Sequence, residues 1–197
     1  MLLSLLAGAA IPAGAALAMR EDIQSDWLEA EFRHGVIAFG GGILLAAVAF
    51  VLVPDGTAKL PVWAAMAALG LGGVGFALLD RLIETRLGQM AQLVAMLADF
   101  LPEALALGAL FASGSSSAPL LALMIGLQNL PEGFNSCREL SAAGLMKAPA
   151  RVLLLFAGFA FLGPLAALGG HLWLVDYPQA LGALMLFAAG GILYLIF

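Results

Sequence analysis

The sequence predicts an all-α integral membrane protein, a polytopic bundle of seven transmembrane helices forming one domain over residues 1–197. Three observations predict it. Hydrophobic residues make up 63% of the chain and charged residues 11%, where a soluble domain carries about 25% charged residues. Seven apolar segments approach the ~20 residues that a helix needs to cross a bilayer. Nearly all the charge falls in the breaks between them. The runs are long and continuous rather than alternating, which argues against a β-barrel. The same composition leaves no basic patch for nucleic acid, no low-complexity tract and no disordered tail, so the expected surroundings are the lipid bilayer.

The segments are 2–19, 35–54, 60–79, 88–113, 118–137, 152–174 and 178–197. No basic stretch precedes the first, so it reads as a span rather than a cleaved signal peptide. The first break, "REDIQSDWLEAEFRH", holds five acids beside Arg20, Arg33 and His34 and reads as a solvated connector. Spans two and three carry Gly40-Gly41-Gly42 and Gly70-x-Gly72-Gly73, among 24 glycines in all; small residues let membrane helices pack closely, and packing is the reading for these clusters. Lys and Arg set orientation. One set of breaks holds Arg20, Arg33, Arg81, Arg86, Arg138, Lys147 and Arg151; the other holds Lys59 alone. The N-terminus is therefore expected outside and Phe197 on the cytoplasmic side. Trp27, Trp63 and Trp173 fall near span ends, as interfacial anchors do. The single cysteine, Cys137, allows no intrachain disulfide.

Three acids lie well inside spans: Asp99, Glu103 and Glu132. Asp99 and Glu103 are four apart on the fourth span, and so are Gln128 and Glu132 on the fifth, so each pair shares a helix face. Each pair brackets a proline, Pro102 or Pro131, and the segments "DFLPEA" (99–104) and "QNLPEG" (128–133) read alike. A proline removes one helical hydrogen bond and frees the carbonyl four residues earlier, here Ala98 and Leu127. Hydrocarbon offers those carbonyls no partner. Three carboxylates close together need a cation or protons between them, and ionisable residues inside a membrane are functional by default. The constellation therefore predicts a site for metal ions or protons. Gln128, Glu132 and Asn135 share a face and extend it as a polar track. No buried histidine, no nucleophile–base pair and no open three-ligand zinc pattern is present, so the chain does not read as an enzyme and has no candidate catalytic residue.

Spans four and five resemble those of the ZIP (Zrt/Irt-like) divalent-metal transporters, whose fourth span carries His-Asn-x-Pro-Glu-Gly and whose fifth carries a related motif. "QNLPEG" is similar to the fifth-span form of a mainly prokaryotic-type branch, and "DFLPEA" to an altered fourth-span form. "ILLAAVAFVLVPDG" (43–56), "GFALLDRLIETR" (75–86), "FLGPLAALGG" (161–170) and "LFAAGGILYLIF" (186–197) look like parts of its second, third, sixth and seventh helices. The resemblance implies a transporter moving divalent cations, zinc first and then Mn²⁺, Fe²⁺ or Cd²⁺, into the cytoplasm, in a bacterial inner membrane. The metal is its substrate, and no organic cofactor is implied.

Carried over by position, the resemblance implies Asp99, Glu103, Gln128 and Glu132 around one metal. A second metal would use Asn129, the two glutamates, the residue after Asp99 and an acid before the proline of span six. Those last two positions are Phe100 and Gly163, so one competent position is expected rather than two. Oxygen ligands alone suit harder ions than imidazole or thiolate do. The family has eight spans, in an inverted repeat. Here "FGGGIL" of span two and "AAGGIL" of span seven look like repeat partners, and the chain stops after span seven. Either the sequence is truncated, or seven helices suffice with a homo-oligomer completing the bundle. Three alternatives stay open: a metal sensor, an assembly partner, or a proton-coupled carrier of another solute.

Overall fold

A computed structural model describes residues 2–20, 26–87, 91–145 and 148–197. The described residues are helical throughout, with no strand among them. Their nine α-helices make seven rods: α1 (Leu2–Ala18), α2 (Asp26–Ala47) running through a π-helical turn into α3 (Val53–Thr57), α4 (Val62–Leu87), α5 (Ala91–Ala112), α6 (Ala118–Ala142), α7 (Pro149–Ala160) continued by α8 (Leu162–Leu172), and α9 (Pro178–Ile196). Lys147 and residues 21–25 of the acidic connector lie outside the described residues.

The expected seven spans become five helices that are long and apolar enough to cross a membrane: 31–57, 62–83, 93–112, 149–176 and 178–196. The two exceptions have separate physical reasons. Helix α1 is apolar but has 17 residues, about 25 Å at 1.5 Å per residue, against a hydrocarbon core of about 30 Å. Helix α6 is long enough, at 25 residues, but its second half is polar. That half is covered by other helices: Gln128, Asn129, Glu132, Gly133, Ser136 and Cys137 are all buried. A helix shielded by protein rather than lipid need not be apolar all round.

Two rods break where proline demands it. Pro164 has no N–H for the carbonyl of Ala160, and α7 gives way to α8 at Phe161. Ahead of Pro54, the chain widens into the π turn Val48–Leu52, and the Val53 N–H reaches back to the Val48 carbonyl. Gly114 and Gly144, both at φ +70°, end α5 and α6. Beside Gly114, the Ser115 N–H reaches the Leu110 carbonyl at 2.9 Å, the contact that closes a helix through a left-handed residue.

The helices sort into two groups. Helices α1, α5, α6, α7 and α8 pack mainly on one another; α3, α4 and α9 form the second group, and α2 bridges to α6. Close approaches inside each group run through glycine. A Cβ on Gly133 would lie 2.2 Å from the Ile11 carbonyl oxygen, one on Gly170 would lie 1.9 Å from that of Leu105, and one on Gly190 would lie 1.9 Å from that of Leu69. The packing reading therefore holds for Gly72, which abuts the Phe187 backbone, but not for all of either cluster, since Gly70 meets nothing within 4 Å. Gly40 touches Pro131, whereas Gly41 and Gly42 meet nothing within 4 Å and line a cavity. Without side chains they leave space instead of closing it.

Candidate functional site

Helices α5 and α6 form a hairpin about the 113–117 connection, and residues equidistant from Ser115 and Ser116 come face to face. This register builds three successive rungs. The Gln128 Nε2 donates to the Glu103 Oε2 at 2.5 Å. One turn along, the carboxyls of Asp99 and Glu132 lie within hydrogen-bonding range of each other. A further turn along, the Ser136 hydroxyl points at the Met96 sulfur, 3.9 Å away. The two Pro-Glu segments therefore oppose each other directly.

All five residues singled out from the sequence are buried: Asp99, Glu103, Gln128, Asn129 and Glu132. Among the described residues, the buried side-chain polar atoms with no hydrogen-bond partner are five oxygens, and each belongs to one of these residues: Asp99 Oδ1, Glu103 Oε1, Gln128 Oε1, Asn129 Oδ1 and Glu132 Oε2. Leaving a buried polar atom unmatched costs about 1–3 kcal/mol. Every one is an acceptor, so the group that would satisfy them is a cation or a set of donors. The residues do not form a ready-made cage, however. No three His, Cys, Asp or Glu side chains converge in metal-holding geometry among the described residues. The Gln128 amide instead lies against Glu103 as a neutral donor, and the oxygens are strung along the rungs.

Asn129 stands apart from the rungs. Its Nδ2 donates to the Ala7 carbonyl of α1 at 2.9 Å, which ties α6 to α1 and leaves only Oδ1 unmatched. Beside Asp99, the fully buried Phe100 ring rests on Gly163, where a Cβ would lie 2.7 Å from the ring Cζ and 3.2 Å from the Ser4 carbonyl oxygen. The volume that ligands at positions 100 and 163 would need is filled by the ring.

A cavity of about 830 Å³ opens from the middle rung to one end of the bundle. Asp99 and Glu132 lie on its wall, and Asn135, Arg138, Glu139 and Arg33 continue it toward the ends of α2, α6 and α9. Glu103 and Gln128 do not line it and are 0% exposed, so the first rung is sealed while the second is open. At the opposite end, the Ser117 hydroxyl donates to the Asp55 carboxylate, linking the start of α6 to α3. Asp55 thus has a structural partner at that end. Asp80 accepts from the Tyr194 hydroxyl at 3.0 Å.

The wall residues that sequence reasoning missed are Met96 and the glycines of α2. Met96 carried a signal, because it stands one turn from Asp99 on the same face. Gly41 and Gly42 carried none that distinguishes a cavity wall from a packing face.

The fold and the site together define an all-helical protein, with helices fit to span a membrane, holding an unmatched oxygen-rich seam at its centre. No protein-family model matches the chain, and no curated protein matches it.

Proposed function

We propose that the chain is a ZIP-like membrane transporter that moves divalent metal cations, zinc foremost, toward the cytoplasm across a bacterial inner membrane. Asp99, Glu103, Gln128 and Glu132 are its ligands along the path, and Asn129 contributes its remaining oxygen. The observation that carries this reading is the coincidence of the five unmatched buried oxygens with these five residues. A second feature supports it: the Asp99–Glu132 rung opens onto a cavity that runs to the end bearing Arg33 and Arg138, the side expected to face the cytoplasm. Alternating access then requires the cavity to close at that end and a path to open where Ser117 meets Asp55. The Phe100 ring over Gly163 favours one central metal rather than two.

Flux into proteoliposomes holding the purified protein tests the proposal, with Zn²⁺, Cd²⁺, Mn²⁺ and Fe²⁺ offered in turn. Flux of at least one ion is expected, abolished by Glu132→Ala. Binding that Glu132→Ala removes, without flux in the wild type, would mark a sensor or an assembly partner instead. The size of the cavity, about 830 Å³, favours one competing reading, in which a larger solute is carried and the carboxyl rung relays protons. In that case, no metal would move and Asp99→Asn would shift the pH dependence of solute uptake.

A further inference from the structure

At and beside the second and third rungs, four residues with donors of different character line one cavity. Met96 and Asp99 are three apart on α5, and Glu132 and Asn135 are three apart on α6, so each pair presents one helix face. All four line the same cavity. Asp99 and Glu132 contribute the unmatched oxygens Oδ1 and Oε2 and are only 2% and 8% exposed. The Met96 sulfur sits against Ser136, next to Asn135, which keeps it at the helix seam. The sealed Glu103–Gln128 rung lies a full turn beyond.

We infer that Met96, Asp99, Glu132 and Asn135 form a cavity-side cation position, distinct from the sealed Glu103–Gln128 rung, whose thioether gives it a preference for softer divalent ions, Cd²⁺ over Mn²⁺. This inference deepens the proposed cation reading and rests on it. Two carboxylates and an amide oxygen bind hard and borderline ions alike. A thioether adds to the affinity only of soft ions, because its polarisable lone pair matches theirs and competes poorly with water for a hard ion. The position is one that a cation reaches from the cavity without disturbing the buried Gln128–Glu103 contact.

Equilibrium binding of Cd²⁺ and of Mn²⁺ to the purified full chain in detergent tests the inference. Met96→Leu conserves volume in the core and removes only the sulfur; an unchanged circular dichroism melt establishes that the variant folds. Cd²⁺ affinity is expected to fall about tenfold while Mn²⁺ affinity changes less than about twofold. Asn135→Leu is the companion variant and should weaken both ions. Wild-type binding of both ions with a ratio unaltered by Met96→Leu would overturn the soft-donor assignment and leave the cation reading standing. Wild-type protein that binds neither ion would remove both.

Discussion

The α4–α9 pair and the α5–α6 pair are both close helix contacts, and they solve opposite problems. Helices α4 and α9 run parallel and meet backbone to backbone: Gly72 abuts Phe187, Gly190 abuts Leu69, and the Phe76 ring covers Gly191. The polar contact between them, Tyr194 to Asp80, is exposed. Helices α5 and α6 run antiparallel and meet through side chains, with a charged or polar group on each rung. The first pair gains from dispersion and leaves no buried polar atom unmatched among the described residues; the second leaves four of the five unmatched oxygens. In a membrane, association through small residues stabilises, whereas an unmatched acceptor in low dielectric destabilises. One seam is closed backbone to backbone, and the other keeps oxygens without partners.

The largest effect that would break this contrast comes from the closed seam. Gly190→Leu forces a side chain onto the Leu69 carbonyl and should cost about 3 kcal/mol or more, since neither backbone can retreat without parting the helices. Thermal unfolding in detergent should show a collapsed or absent transition. A near-normal melt would mean that the α4–α9 contact is not the rigid element described here.

The open seam should respond in the reverse direction. Glu103→Met alone leaves the Gln128 amide without its partner and should destabilise by about 1–3 kcal/mol. Adding Gln128→Leu replaces the whole rung with apolar groups of similar size, and stability should recover to the wild-type value or exceed it by about 1 kcal/mol or more. The two changes are thus strongly non-additive, while cation flux should be lost in both variants and binding at the cavity-side position kept. A double variant less stable than either single one would show that the rung is a structural tie rather than a ligand pair.

The smallest effect on stability comes from a glycine on the cavity wall. Gly41→Leu meets no atom within 4 Å at its Cβ and should change stability by no more than about 0.5 kcal/mol. Gly41 lines the same cavity as Glu132, so flux should slow severalfold with the melt intact. Equal flux in Gly41→Leu and wild type would place the route elsewhere.

Much of the site was legible in the chain because its logic is local. Intervals of four put Asp99 with Glu103 and Gln128 with Glu132 on shared faces whatever surrounds them, and a carboxyl in a long apolar run signals a cost that some partner must offset. The same local logic failed for Gly41 and Gly42. Glycine lowers bulk equally at a contact and at a void, and only the neighbour decides which results. The count of spans was met only in part, by five helices, for a related reason. Apolar length is a good guide where lipid is the neighbour, and a poor one for α6, whose neighbours are α1, α2 and α5.

The sequence by itself determined the helical class, the approximate rods, the charge asymmetry between loops and four of the five residues with unmatched oxygens, because each follows from composition, from periodicity along one helix or from the cost of burying charge; Asn129 was singled out only through the family resemblance. Only the tertiary structure decided that the two Pro-Glu segments oppose each other, that Phe100 fills the space over Gly163, that Asn129 turns to Ala7, and that one rung is sealed while the next meets a cavity. These are facts about distances between helices. Helix periodicity fixes which face a residue occupies, but the partner of that face is set by the competition among all seven rods for close contact, and that competition is settled only when the whole bundle has formed.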